Sequence, residues 1–353
     1  MKKAHYKHIV KLTVAVFLVG CASESETYRS AQPIKVVPQN PVVRQQVIPP
    51  PQPQVQSQPR YNNYRNSQSY NYSSSGVSGT YADYPEVRSF IRHMVQKHGF
   101  SESYLNGLFS QARRLDSVIR LESPAPSTGP SKPRLGSWTR YRDKFLTDAH
   151  ISNGVEFWRN NADAIQKASA TYGVDPEYIV GIIGVETYFG KNIGKTCIFD
   201  ALTTLAFDTE RRGKYFASEL ENFLLMTKEE GFEPRQPVGS WAGAMGLGQF
   251  MPSSFRKLAV DFDRNGRRDL WHPKDAIGSV AHYFSKSGWQ FNNPVTKLAA
   301  ATNDESVIEL STYDGNEYWR VFPNFKVIKK YNNSSKYAMA VHQLAQAIKQ
   351  RYY

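Results

Sequence analysis

From residue 179 to residue 190 the chain reads IVGIIGVETYFG, apolar or small at most positions and interrupted by a lone carboxylate, Glu186. Asp175 and Pro176 stand just upstream as an N-cap and first-turn pair, so the stretch predicts a helix. On that helix Ile179, Ile182, Ile183 and Glu186 fall at i, i+3, i+4 and i+7, a single face that aims the acid along the apolar stripe. Helical periodicity also runs through residues 84–99, 101–115, 157–171 (closing at Gly173), 217–230, 273–287 and 336–350. Residues 123–132, with several Pro and Ser, read as a loop. Helical spacing lapses between 290 and 318, where 295–298 and 307–310 suit short strands, as does 325–328 beyond. No internal repeat is visible.

A carboxyl directed along an apolar face is desolvated. That disfavours its charged form, raises its pKa and leaves it partly protonated near neutrality. A proton donor in a cleft is what cleavage of a glycosidic bond requires. The competing reading is a buried glutamate that only bonds backbone groups or pairs with an arginine. The stretch 240–255, SWAGAMGLGQFMPSSF, favours the first. With Gly239 it gathers Gly243, Gly246 and Gly248, one amide (Gln249), the pair Phe250-Met251, and Pro252 opening another helix. No Asp or Glu lies between Glu233 and Asp261. Glycines let backbone polar groups approach a ligand closely, while Gln, Phe and Met add an amide and flat apolar surface. Such a wall suits a sugar, whose hydroxyls surround an apolar ring face. Alternatively it is a tightly packed loop without a ligand.

A third constellation is DFDRNGR, residues 261–267. Asp261, Asp263 and Asn265 offer side-chain oxygens at loop positions 1, 3 and 5, Gly266 stands at 6 and the Arg267 main-chain oxygen at 7, as in the opening of an EF-hand loop. Position 12 should be Glu and is His272. An Asx-rich turn needing no ion is the alternative. Other chemistries find no support. Val238-Gly239-Ser240-Trp241-Ala242-Gly243 is not G-x-S-x-G, no HExxH occurs among the scattered histidines, and the glycine-rich loop lacks the Lys-Ser/Thr pair of a phosphate loop.

The chain has 353 residues, a formal net charge of +13 and 40% hydrophobic residues, enough for one large or two smaller domains. Lys2, Lys3, Lys7 and Lys11 precede an apolar run, 12–20, that is too short to span a bilayer but suits a signal peptide. Leu18-Val19-Gly20-Cys21 resembles a bacterial lipobox, which makes Cys21 the lipidated first residue of the mature chain; an ordinary secretory signal is the alternative. Cys197 then has no disulfide partner. Residues 21–80 carry eight prolines with many Gln, Asn and Ser and read as a disordered tether, leaving 81–353 as the catalytic domain. Ala22 is not the Asp that favours inner-membrane retention in some enterobacteria, so the periplasmic face of the outer membrane is expected. The basic charge suits an anionic wall or membrane surface. Export and the lack of a basic stripe argue against nucleic acid.

From about Tyr84 to the C-terminus the chain resembles the membrane-bound lytic murein transglycosylase B family, glycoside hydrolase family 103. The resemblance rests on KHGF (97–100), AxRLDSVIRLE (112–122), GIIGVETYFGKNIGKT (181–196), FDALTTLAFD (199–208), ELENFLLM (219–226), GSWAGAMGLGQFMPSSF (239–255), DLWHPKDAIGSVAHYF (269–284) and YNNSSKYAMAVHQL (331–344). It implies a mainly α (α+β) fold with a lysozyme-like helical core. The strand-containing subdomain should be small, because this chain is shorter than many relatives after Gly288-Trp289. The resemblance further implies cleavage of the β-1,4 bond between N-acetylmuramic acid and N-acetylglucosamine, with Glu186 as acid and then base and a 1,6-anhydro product.

By the same resemblance Ser240 and Gln249 bond sugar groups, Phe250 and Met251 line the wall, and Tyr141, Arg211, Arg212, Tyr215, Tyr283 and Tyr331 line the groove. The arginines would meet lactyl or peptide carboxylates, or form a solvated charge pair. Asp275 would close a structural Ca²⁺ site, and catalysis would need no cofactor. The expected partners are glycan strands, a membrane through the lipid and cell-wall synthases, with the protein a monomer. Two other functions compete: a water-using muramidase on the same fold, and a non-catalytic wall-binding lipoprotein.

Overall fold

The computed structural model describes residues 72–122 and 135–353. The signal segment, Cys21, most of the tether and the 123–132 loop lie outside them. Among the described residues no helix is long and apolar enough to cross a membrane.

Helices α1 (Pro85–His98), α2 (Glu102–Ser110) and α3 (Asp116–Glu122) come first. The α1 stripe Val87, Phe90, Ile91 and Met94 is buried, as its periodicity predicts, and Gly99 ends the helix in the left-handed region, φ 63°. Next come α4 (Ser137–Arg142), α5 (Asp148–Asn160) and α6 (Ala162–Tyr172). The expected single helix over 157–171 is broken at Asn161, whose side-chain amide donates to the Phe157 carbonyl at 2.9 Å. A short polar side chain that bonds nearby backbone competes with the helix itself.

Helix α7 (Pro176–Thr187) is the central element, with every residue from Glu177 to Gly184 buried. It packs against α5, α6 and two later helices, α11 (Pro273–Lys286) and α13 (Ser335–Tyr352). Gly181 allows the α13 crossing: a Cβ there would lie 3.0 Å from Ala345 Cβ and 3.1 Å from the Val341 carbonyl oxygen. Asp175 occupies the N-cap position, but its side chain does not cap the helix. Its carboxylate instead accepts from Trp289 Nε1 at 2.8 Å and Asn292 N at 3.1 Å, tying the helix start to the segment after α11.

Strand β1 (Thr196–Cys197), α8 (Ile198–Phe207), α9 (Gly213–Glu230), β2 (Val238–Gly239) and α10 (Pro252–Leu258) fill the middle of the chain. The two strands pair Thr196 with Gly239 and Cys197 with Val238. Bridges Gly239–Met245 and Met245–Phe250 continue from them and fold the glycine-rich loop on itself. Beyond α11, β3 (Thr296–Ala299), β4 (Val307–Thr312) and β5 (Gly315–Val321) form an antiparallel sheet in the order β3-β5-β4. This is the small strand-containing subdomain.

The expected strand at 325–328 is instead part of helix α12 (Pro323–Tyr331). A short apolar run fits either period, and Pro323 at the first helical position with Phe325 and Ile328 inward decides for helix. The folded part also begins earlier than expected. Tyr72 is 4% exposed and packs edge-on to Tyr104, eight residues inside the segment read as tether.

Candidate active site

Glu186 sits in the last turn of α7. The helix ends there because Tyr188, Phe189 and Gly190 take φ of 52°, 60° and 85°, all left-handed. Such angles are costly for aromatic residues and need support from outside the helix. Thr187 supplies it: its hydroxyl donates to the Ile183 carbonyl (3.1 Å) or the Leu247 carbonyl (3.0 Å) and accepts from Gly190 N (3.0 Å). The helix end is thereby fixed against the glycine-rich loop.

That loop is pressed onto the backbone ahead of α11. Leu247 N donates to the Leu270 carbonyl at 2.9 Å, and at Gly246 (φ 67°) a Cβ would stand 2.3 Å from the same oxygen. Only glycine allows that approach. Gln249 follows with φ 50°, its Nε2 donating to the carbonyls of Gly246 (2.9 Å) and Ile193 (3.3 Å). Ser240 Oγ accepts from Ala244 N at 3.0 Å, so the hydroxyl closes a turn while its own proton stays free to be given.

The Glu186 carboxyl is pushed up to about 7 by burial, opposed by the hydroxyl of Tyr337, which donates to Oε1 at 2.5 Å. No arginine, lysine or second carboxylate among the described residues perturbs it. Its charge is felt by three tyrosine hydroxyls, those of Tyr141, Tyr331 and Tyr337. Burial, with Glu186 adding, pushes Tyr141 up to about 12. Burial alone moves Tyr283 to about 12, with Ser287 opposing. Tyr331 donates to the Gly248 carbonyl at 2.5 Å and lies against Tyr283 with ring centroids 4.6 Å apart. Residues from α4, α7, α11, α12 and α13 thus converge with the glycine-rich loop on one proton-holding carboxyl.

Several expected residues are placed otherwise. Phe250 is 3% exposed, buried beneath Tyr283 and Tyr331 at centroid distances of 5.9 and 6.0 Å, so it supports the wall without facing outward. Met251 is partly buried at the N-cap of α10. Arg211 and Arg212 bind Glu122, Arg211 Nε at 3.3 Å and Arg212 Nε at 2.7 Å from its Oε1. Burial alone would raise Glu122, but the guanidiniums hold it below the usual carboxylate range. Both arginines thus pair with Glu122, Arg211 with its side chain still 65% exposed, and neither perturbs the Glu186 carboxyl. Tyr215 lies beside Glu219; burial and that carboxylate raise its hydroxyl. Tyr337 was not singled out by sequence, although it falls within the YNNSSKYAMAVHQL motif.

The acidic loop holds together as expected. Carboxylate oxygens of Asp261, Asp263 and Asp275 lie within 4.8 Å of one another. Asp261 accepts from Asn265 N (3.0 Å) and Gly266 N (2.8 Å), and Asn265 Oδ1 accepts from Arg267 N at 3.0 Å. Buried Asp275 accepts from the backbone of Phe262 (2.8 Å), Asp263 (3.2 Å) and Asp269 (2.8 Å). Burial, with Asp263 adding, still lifts it to about 6. His272 Nδ1 stands 3.4 Å from Asp263, and no lysine or arginine pairs with the three among the described residues. Oxygen donors with so little positive charge beside them fit a hard divalent cation.

The profile of the transglycosylase SLT domain matches residues 82–312 and 297–346. The chain belongs to that family. The Escherichia coli (strain K12) membrane-bound lytic murein transglycosylase B is 46% identical over 307 residues, covering 77% of this chain and 85% of the relative. The E. coli lytic transglycosylase Slt35, solved in complex with calcium, superposes with a TM-score of 0.74 at 44% identity, covering 78% of this chain and 96% of that one. Pseudomonas aeruginosa SltB3, solved with NAG-anhNAM-pentapeptide, matches with a TM-score of 0.64 at 25% identity, covering 75% of this chain and 79% of that one. This SLT domain is thus a mainly α fold with a lysozyme-like core.

Proposed function

We propose that the chain is a lytic transglycosylase that cleaves the β-1,4 bond between N-acetylmuramic acid and N-acetylglucosamine in peptidoglycan, with Glu186 as its single acid and base. The observation that carries this reading is the Glu186 carboxyl itself, desolvated to about 7 with no second carboxylate acting on it. Glycosidases that use two carboxylates hold them about 5–9.5 Å apart; with no carboxylate perturbing Glu186, a single group performing both proton transfers is the reading the site supports.

Protonated Glu186 gives its proton to the glycosidic oxygen as the C1–O bond breaks. The muramic N-acetyl oxygen bonds to C1 and holds the developing charge. Glu186, now ionised, takes the proton of the C6 hydroxyl, and O6 displaces the acetamido oxygen from C1. The product is a 1,6-anhydro sugar, Glu186 is protonated again, and no water is consumed. A pKa near neutrality suits a group that must give a proton and then take one. Ser240 and Gln249 would bond the sugar beside Glu186, and Tyr141, Tyr283 and Tyr331 would present ring faces and hydroxyls along the strand.

The loop at 261–275 would hold a structural Ca²⁺ through Asp261, Asp263, Asn265, the Arg267 carbonyl and Asp275. When bound, the ion would cross-link the loop to α11 and take no part in the reaction. The membrane-bound relative supports membrane association; the anchor would be a lipid on Cys21 at the periplasmic face of the outer membrane, where wall synthases are the expected partners.

Digesting purified sacculi and weighing the released muropeptides tests the reaction. Anhydromuramic ends are expected. Products one water heavier, with free reducing ends, would make the protein a muramidase. Glu186→Gln should lose turnover yet still bind sacculi, and unchanged turnover would remove Glu186 from the mechanism.

A further inference from the structure

The fold brings together two histidines that nothing in their spacing pairs. His93 lies in the penultimate turn of α1 and His98 is its last residue. Both turn their Nε2 atoms to Glu221 on α9, His93 at 3.1 Å from Oε2 and His98 at 2.7 Å from Oε1. Their rings are 5.9 Å apart at 82°, and one donor atom from each of the three residues lies within 4.8 Å of the others. Lys97 Nζ also reaches Glu221 Oε1, at 3.0 Å.

We propose that His93, His98 and Glu221 form a site for a borderline divalent metal ion, zinc foremost, that ties the end of α1 to α9. Two imidazole nitrogens and a carboxylate are a donor set that zinc and its first-row neighbours take readily. They are not the all-oxygen shell that calcium prefers, which separates this site from the loop at 261–275. Zinc bonds of about 2.0–2.2 Å set tetrahedral edges of roughly 3.3 Å. The two His–Glu separations, 3.1 and 2.7 Å, need to open by about 0.2 and 0.6 Å to reach such an edge.

The setting also fits. Side-chain exposures of 17% for His98 and 19% for Glu221 hold two ligands in place, while His93 at 43% leaves a side open for water. Glu221 meets His93 through Oε2 and His98 through Oε1, so its carboxylate already lies between the two imidazoles. An ion pair needs one cation, and Lys97 already supplies it; both imidazoles converging on the same carboxylate is what a metal asks for. On binding, the metal takes the Nε2 lone pair of each imidazole, any proton there leaves to solvent, and Lys97 is displaced from Oε1.

The test uses the full chain without a histidine tag, stripped by chelator and kept in millimolar Ca²⁺ so that the oxygen-only loop is filled. Zn²⁺ is titrated calorimetrically, and Co²⁺ serves as the spectroscopic probe through its visible ligand-field band. One Zn²⁺ per chain is expected. His93→Ala and His98→Ala should each weaken it by more than the roughly 10–100-fold typical of losing a supporting partner, and should abolish the Co²⁺ band. Lys97→Met, which removes a competitor, should tighten binding by about 2–5-fold. Zn²⁺ should raise the melting temperature of the wild type and not of His98→Ala. The proposal is overturned if the His93→Ala/His98→Ala double variant binds Zn²⁺ as the wild type does, or if the wild type binds no more tightly than that variant.

Discussion

At Glu186 burial and one hydrogen bond pull the proton in opposite directions, and burial wins. The folded carboxyl stands at about 7 against an ordinary value of 4.5. Below pH 4.5 both the folded and the unfolded chain hold the proton, so nothing is lost. As pH rises from there the unfolded chain ionises first, and above pH 7 the native state has given up at most about 3 kcal/mol. Glu186→Gln is therefore expected to melt several degrees higher than the wild type at about pH 8 and alongside it at about pH 4. Equal melting at both would show a solvated carboxylate. Tyr337 acts through Glu186 by stabilising its ionised form. In Tyr337→Phe the alkaline limb of the pH–rate profile should move upward by about one unit, since a hydrogen bond to a charge contributes about 1.5–3 kcal/mol. A lower rate with an unmoved limb would make Tyr337 mere packing. Glu186 was legible because a lone acid interrupts an apolar stripe. Tyr337 was not, because a tyrosine on an amphipathic helix looks like core until α13 is laid across α7.

Elements were legible where one period ran long enough to exclude the other. The stripe of α1 and the apolar length of α7 did so; the four residues 325–328 did not, and Pro323 settled them as helix. The arginine pair shows what adjacency alone leaves open. Adjacent charges suggested a ligand for carboxylates, and the carboxylate they meet is the protein's own Glu122. The acidic loop was readable because its spacing encodes the geometry, though its closing residue, Asp275, comes from the next helix. Chelating Ca²⁺ should lower the melting temperature by several degrees, given that an ion at a hundred times its dissociation constant stabilises by about 2.7 kcal/mol. The Asp261→Ala/Asp263→Ala variant should melt at the chelated temperature with or without Ca²⁺. A wild type indifferent to chelation would leave the loop an Asx turn.

Over the whole molecule, the folded part already includes Tyr72, where composition still reads as tether. Tyr72 is buried against the α2 backbone at Gly107 and donates to Glu233, far along the chain. A chain beginning at residue 61 should melt with the full-length protein. One beginning at residue 81 should lose about 2–3 kcal/mol, the worth of burying one large side chain, and melt several degrees lower. Identical melting curves would return the boundary to residue 80. The sequence by itself determined the helical class and the family and pointed to Glu186 and the acidic loop, because each is written in local spacing or in one ordered motif. Only the tertiary structure decided which tyrosines surround Glu186, which cation meets which acid, and that two histidines of α1 share a glutamate of α9. Those are contacts between residues far apart in the chain, set by how helices cross, and no local pattern records a crossing.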